Sequence, residues 1–194
     1  MKSKKTLLVI AGIVLIIVIF LVTSYNGLVS KQENVKKNWS EVQSTYQRRL
    51  DLIPNLVNVV KGVSDFESST LEQIATARSR AVSGQNNASF EAGNFASQTA
   101  AQDTLASAVN RMIITIEKYP TLKGTQAYAG LQTQLEGTER RIKVARNDFN
   151  ESVAVFNRSV RSFPTSIAAA VFGFRAEDGF AAVQGAEKNV EIKF

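Results

Sequence analysis

Chemistry in this chain has to come from carboxylates, lysines, arginines and hydroxyls, because the sequence contains no Cys and no His. That removes disulfides, thiolate nucleophiles, Ser–His triads and nearly all zinc chemistry. Among the acids, Glu67 has the most telling position. It stands one heptad after Val60 and one before Ile74, which places it on an apolar seam. A carboxylate there needs a partner, since unpaired burial is costly; Arg78, Arg146 or a lysine is expected to supply it. Such a pair would fix helix register. The sharper alternative, a catalytic or metal-binding acid, requires a second convergent carboxylate, for which Glu136 and Glu139 are the candidates. The sequence carries no paired-acid motif, phosphate loop or nucleophile elbow, so no residue is assigned a catalytic, cofactor-binding or metal-binding role.

A second group of polar residues surrounds two prolines. Arg48, Arg49 and Asp51 precede Pro54; Glu117 and Tyr119 precede Pro120, and Lys123 follows it. If each proline marks a corner between helices, both groups fall at the same end of an antiparallel bundle. Asp51 is then an N-cap with Pro54 in the first turn, where a missing N–H costs little. Arg48 or Arg49 pairs with Glu117, and Tyr119 packs on Pro54. The same residues also suit a membrane-distal binding surface.

The elements that must position these residues are helical by pattern. No alternating run bounded by hairpin turns appears, so sheet is disfavoured. Tyr128, Leu135, Ile142, Phe149, Phe156 and Phe163 recur every seven residues, with Leu131, Thr138, Ala145 and Val153 or Val160 beside them. This predicts an amphipathic helix over Thr121 to Phe163 with the narrow seam of a bundle or coiled coil. Leu28, Val35 and Val42, flanked by Tyr25, Trp39 and Tyr46, predict a helix over 25–49. A second follows Asp51 and carries Leu56, Val60, Val63, Ile74, Ala77 and Ala81, ending at Ser83-Gly84-Gln85-Asn86-Asn87. A third covers 88–118. Four helices with short loops predict an up-down-up-down bundle. The unequal lengths of the first and last helices require either that the last flanks the membrane or that the first two join through a kink at Pro54.

The N-terminal segment sets the class. Between Lys5 and Lys31 lie twenty-five residues without a charge, and Leu7 to Val22 is apolar apart from Gly12. At about 1.5 Å per residue, Thr6 to Thr23 spans roughly 27 Å, enough for a bilayer core. A cleaved signal peptide is the rival reading, with Val22-Thr23-Ser24 as a weak cleavage site. An uncleaved anchor is favoured because the apolar stretch is long and stays helical in pattern past Ser24. Lys2, Lys4 and Lys5 before the span predict a cytoplasmic N-terminus and an extracytoplasmic bundle. Of the formal +6, three charges belong to this flank, which leaves 20 basic and 17 acidic residues elsewhere. That balance, without a basic aromatic stripe, disfavours nucleic acid as a partner.

The organisation expected is a basic flank (1–5), a transmembrane helix (6–24), a helical bundle (25–164) and a C-terminal tail (165–194). In the tail, Ile167 to Phe174 is an apolar stretch that either folds over the bundle base or rests at the bilayer interface. Val190-Glu191-Ile192 reads as strand-like.

Several motifs together resemble the LemA family. They are Tyr25-Asn26-x-Leu28-Val29; Trp39; Gln47-Arg48-Arg49-x-Asp51-Leu52-Ile53-Pro54-Asn55-Leu56-Val57; Val60-Lys61-Gly62; Glu117-x-Tyr119-Pro120-x-Leu122-Lys123; Leu131-Gln132-x-x-Leu135-x-x-Thr138-Glu139; Ile142-x-x-Ala145-Arg146; Phe149-Asn150; and Phe163-Pro164. The likeness covers about residues 25–175. It implies a membrane-anchored, mostly helical bacterial protein with no established enzymatic activity. It also implies the opposite topology, with the short N-terminus outside the cell. Two positions depart from the pattern. Val63-Ser64-Asp65-Phe66-Glu67 stands where members often carry an aromatic and a His before the Glu, and Thr121 replaces the usual acid after Tyr-Pro.

The function expected is that of a membrane-anchored scaffold without catalysis. Its expected partners are the lipid bilayer, an unidentified membrane or extracytoplasmic protein, and a second copy of itself; no cofactor is expected. The competing expectation is a membrane-anchored, carboxylate-based metal-dependent hydrolase.

Overall fold

Helix formation begins at Lys2 and runs unbroken for 60 residues. A computed structural model describes residues 2–62, 66–86 and 95–180. It contains α1 (Lys2–Lys61), α2 (Ser68–Asn86), α3 (Phe95–Ile116), a short α4 (Pro120–Lys123), α5 (Gln126–Arg161) and α6 (Thr165–Phe172). No strand occurs among the described residues. The all-helical class and the long apolar N-terminal helix expected from the pattern are both present. The strand-like reading of Val190–Ile192 lies outside the described residues.

The first expected corner is absent. Asp51 and Pro54 both lie inside α1, and the helix continues to Lys61. A proline in a helix interior removes the hydrogen bond to the carbonyl four residues back. Here that carbonyl belongs to Leu50, and it accepts a hydrogen bond from Arg78 Nε at 3.3 Å. The side chain of α2 thus replaces the donor that Pro54 lacks. The two helices expected on either side of Pro54 are one continuous helix. The loop expected at Ser83–Asn86 is also helical, because α2 extends through Asn86.

The chain divides into two units. One comprises Trp39–Asn147 with Gly179–Phe194, the other Met1–Asn38 with Asp148–Asp178. In the first, Leu50, Ile53, Leu56 and Val60 of α1 pack with Ile74, Ala77 and Ala81 of α2. Leu105, Val109, Met112 and Ile116 of α3 and Tyr128, Leu131 and Leu135 of α5 complete the core. Leu122 of α4 joins it. The long predicted helix is interrupted once, at Gly124 and Thr125. Thr125 caps the new start, its hydroxyl accepting from the Tyr128 N–H at 3.2 Å, as an N-cap side chain does.

In the second unit Leu28, Val35, Phe149, Val153 and Phe156 are buried. The seven-residue period therefore holds from Tyr128 to Phe156. It fails at Phe163, which is 82% exposed because α5 ends at Arg161. The chain turns at Ser162–Pro164 into α6, which closes on Gly173 at φ +78°, a left-handed cap that glycine adopts without strain. Asn157 then holds the following segment: its Nδ2 donates to the Glu177 carbonyl at 2.7 Å, and the Glu177 N–H donates to Asn157 Oδ1 at 2.8 Å.

Among the described residues, one helix is long and apolar enough to cross a membrane, namely α1. Residues from Leu7 to Ile19 are exposed throughout. For a segment composed almost wholly of aliphatic side chains, that exposure is the reverse of what a water-soluble core helix shows.

Candidate functional site

The polar residues singled out by sequence do not form a corner. Fewer than two turns of α1 present Gln43, Tyr46 and Arg49 at spacings of three, which places them along one helix face. Each meets a polar partner on α3 or α5. Gln43 and Gln98 exchange amide hydrogen bonds at 3.0 and 2.7 Å. Tyr46 accepts from Arg146 Nε at 2.8 Å, and the other arm of Arg146 donates to Asp103 at 2.9 Å. Arg49 donates through Nη1 to the Gln102 carbonyl at 3.0 Å and through Nη2 to Glu139 at 2.5 Å.

Three elements are thereby tied by a ladder of side chains within the first unit. Gln98 and Gln102 are 1% and 0% exposed, so their polar atoms have little access to water. Among the described residues Arg49 Nε and Gln102 Nε2 have no hydrogen-bond partner. A small cavity of about 210 Å³ opens beside the ladder, lined by Arg49, Asp103, Glu139, Ile142, Lys143 and Arg146 among others. Its two carboxylates each accept from an arginine. That arrangement suits a polar lock with a cationic margin; it does not present two acids converging on a reacting atom. Burial raises the Tyr46 phenol above its ordinary value near 10, against the opposing pull of the Arg146 charge.

Sequence-predicted residues fall as follows. Arg49 is buried and pairs with Glu139 instead of Glu117. Arg48 is exposed and donates to Gln134 at 3.1 Å. Asp51 is not an N-cap; it accepts from Gln47, one turn earlier, at 2.7 Å. Pro54 is exposed in mid-helix. Glu117 pairs with Lys123 across the short turn that holds Pro120, and this partner lifts the Lys123 ammonium above its usual range. The Tyr119 ring centroid lies 5.2 Å from that of Phe66.

Glu67 is not on a seam. It is exposed, precedes α2, and its carboxylate accepts from the Thr70 hydroxyl at 3.3 Å. The heptad count does not reach it because α1 ends at Lys61 and the count does not carry across the break into α2. Its proposed second acids are engaged elsewhere: Glu136 accepts from Gln132 at 3.1 Å and Glu139 from Arg49. Among the described residues no group of three or more acids is placed to hold a metal ion.

Gln98, Gln102 and Asp103 carry the lock, and no motif in the sequence marks them. The signal available for them was spacing. Gln98 and Gln102 are four apart, and Glu139 and Arg146 seven apart, so each pair shares a helix face.

The LemA family matches residues 38–194. Magnetosome protein MamQ of Magnetospirillum gryphiswaldense is 25% identical over 194 aligned residues, covering 89% of this chain and 71% of that protein. Magnetosome protein MamQ 2 of Paramagnetospirillum magneticum is 24% identical over 188 residues, covering 86% and 69%. Protein LemA of Metamycoplasma hominis is 24% identical over 144 residues, covering 74% and 63%.

Proposed function

The chain belongs to the LemA family, and we propose that it is a single-pass membrane-anchored scaffold that holds a helical bundle at the cell membrane without catalysing a reaction. The observation that carries this reading is that one helix, α1, contains both a fully exposed apolar segment and part of a buried core. Leu7 to Ile19 face outward, while Leu50, Ile53, Leu56 and Val60 are 0–2% exposed. In water such a segment would be an aggregation liability; in lipid it is satisfied. The bundle reading takes the Trp39–Lys61 part of α1 with α2, α3 and α5 as an antiparallel up-down-up-down set. The basic Lys2, Lys4 and Lys5 favour a cytoplasmic N-terminus with the bundle on the other side. Partners are the lipid bilayer, a second copy of the chain, and an unidentified membrane or extracytoplasmic protein. Two relatives bear the name of magnetosome proteins, neither of which names a reaction.

The full chain expressed in bacteria tests this directly. It is expected to stay with membranes on carbonate extraction and to keep its first 24 residues by intact mass. Because the chain has no Cys, an impermeant maleimide on intact cells reads topology through single substitutions. Glu151→Cys is expected to label and Lys4→Cys to stay silent. Release of the chain into the soluble fraction, or a mature N-terminus after Ser24, would overturn the anchor. The reverse labelling pattern would overturn the orientation alone. Crosslinking and affinity capture from native membranes then test self-assembly and identify partners.

A further inference from the structure

The turn after α5 and the helix that follows it carry no charge. From Ser162 to Phe174 there are thirteen uncharged residues, bracketed by Arg161 and Arg175. Within that stretch apolar side chains are sorted by face. Ala168 and Ala169 are 0% and 1% exposed, whereas Phe163, Ile167 and Val171 are 82%, 52% and 64% exposed. Ile167 and Val171 are four apart in α6 and share one helix face, and Phe163 is exposed in the turn that leads into it. A tail merely folded over a protein surface would turn its larger side chains inward and leave alanines outside; here the order is inverted.

The position of α6 indicates what covers that face. Phe172 meets Tyr25 ring to ring at 4.9 Å, and Phe174 meets the same ring at 5.8 Å. Thr165, at the start of α6, shares a pocket with Phe20, Thr23, Ser24 and Lys31 of α1. The apolar segment of α1 ends in that interval, at Val22, so α6 lies at the level where the segment gives way to polar residues. The exposed apolar surface of α1 is continuous with that of α6 through Tyr25 and Phe172, which are 42% and 43% exposed. Arg161 and Arg175 flank it, both exposed, as long cationic side chains do at the edge of a lipid headgroup layer.

We propose that α6 and the Phe163 turn form an interfacial collar, in which Phe163, Ile167 and Val171 enter the headgroup boundary of the leaflet from which α1 emerges. This rests on the reading of α1 as a membrane span. It gives the protein two lipid contacts, a span and a surface helix locked to it by the Tyr25–Phe172 pair. The collar fixes the tilt of α1 at its exit from the membrane, a property that a lone span leaves to its neighbours.

The test uses full-length chains reconstituted in vesicles of phosphatidylethanolamine and phosphatidylglycerol, each with one engineered thiol carrying a fluorophore. The positions are Ile167→Cys and Val171→Cys for the collar, Leu15→Cys for the span and Glu151→Cys for solvent. The collar probes are expected to be quenched severalfold more strongly by lipids nitroxide-labelled near the headgroup than by lipids labelled at the chain end. They should also resist aqueous iodide, which quenches the Glu151→Cys probe. Leu15→Cys should show the deep-label preference. Collar probes open to iodide, with Leu15→Cys still quenched by deep labels, would overturn the collar and leave the span intact. Collar probes shielded from both iodide and lipid labels would mean that protein covers the face, and would likewise overturn it. A Leu15→Cys probe open to iodide would remove the span and the collar together.

Discussion

Arg78 Nε lies 3.3 Å from the Leu50 carbonyl, the backbone acceptor that Pro54 deprives of its helical donor. The two residues belong to different helices, and the proline defect in α1 is thereby repaired by α2. Arg78→Met is expected to cost about 1–2 kcal/mol, the range for a partly buried hydrogen bond from a charged donor. In a Pro54→Ala background the restored N–H competes for the same carbonyl, so the cost of Arg78→Met should fall by half or more. Chemical denaturation of the four chains of this cycle measures the coupling. Equal costs in both backgrounds would show that Arg78 does not serve the proline site.

This pair also explains where sequence reading stopped short. A proline with an acid three residues before it carries the signature of a helix start. What overrides that signature is a side chain 24 residues further along, and no local rule reports it. Glu67 lies off the seam for a related reason: a heptad count assumes one unbroken helix, and α1 ends at Lys61. Where the helix does run unbroken, the count succeeded. Tyr128, Leu135, Ile142, Phe149 and Phe156 are all buried, as are Trp39 and Tyr46. The polar lock was half legible. Arg49 and Glu139 could each be singled out as polar residues near an apolar face, but their pairing depends on which helices adjoin, which only the fold supplies.

Arg49 and Glu139 are expected to respond unequally to substitution. The Arg49 side chain is 3% exposed and that of Glu139 46% exposed. Removing the carboxylate leaves a buried guanidinium without its counter-charge, whereas removing the arginine leaves a carboxylate that water can reach. Glu139→Ala should therefore destabilise by about 2–3 kcal/mol, and Arg49→Met by about 1 kcal/mol, since its stem fills the same space. The double substitution should be no worse than Glu139→Ala alone. Urea denaturation gives all three values. A double variant that loses the sum of both singles would show that the charges act independently.

Tyr46 predicts the alkaline limb of stability. Burial raises its folded-state value above the ordinary 10.0. Between the unfolded and folded values the folded chain binds more protons, so stability falls as pH rises. The contribution is complete below about pH 10 and is lost as pH climbs through the raised folded value. Burial raises Tyr128 as well, so absorbance titration should show two phenols ionising late in the native protein and joining the others after unfolding. Tyr46→Phe should reduce that late phase from two phenols to one and flatten the decline of the melting temperature above pH 10, while costing about 1–2 kcal/mol at neutral pH through loss of the Arg146 hydrogen bond. A Tyr46→Phe chain whose late phase keeps its full amplitude would assign that phase to other tyrosines.

Phe156 and Phe163 occupy the same heptad position, one repeat apart, yet they are 0% and 82% exposed. Sequence periodicity alone assigns them equal weight. The ending of α5 at Arg161 assigns them opposite ones, because the residue after the break no longer faces the packed side of the helix. Phe156→Ala should cost about 3–5 kcal/mol, through lost burial and the cavity left behind. Phe163→Ala in detergent solution should stay within about 0.5 kcal/mol of the parent, as exposed positions do. Thermal melts of the two full-length variants decide between the readings. Comparable losses at both positions would mean that Phe163 packs as the heptad requires, and would place the end of the α5 seam one repeat later than Phe156.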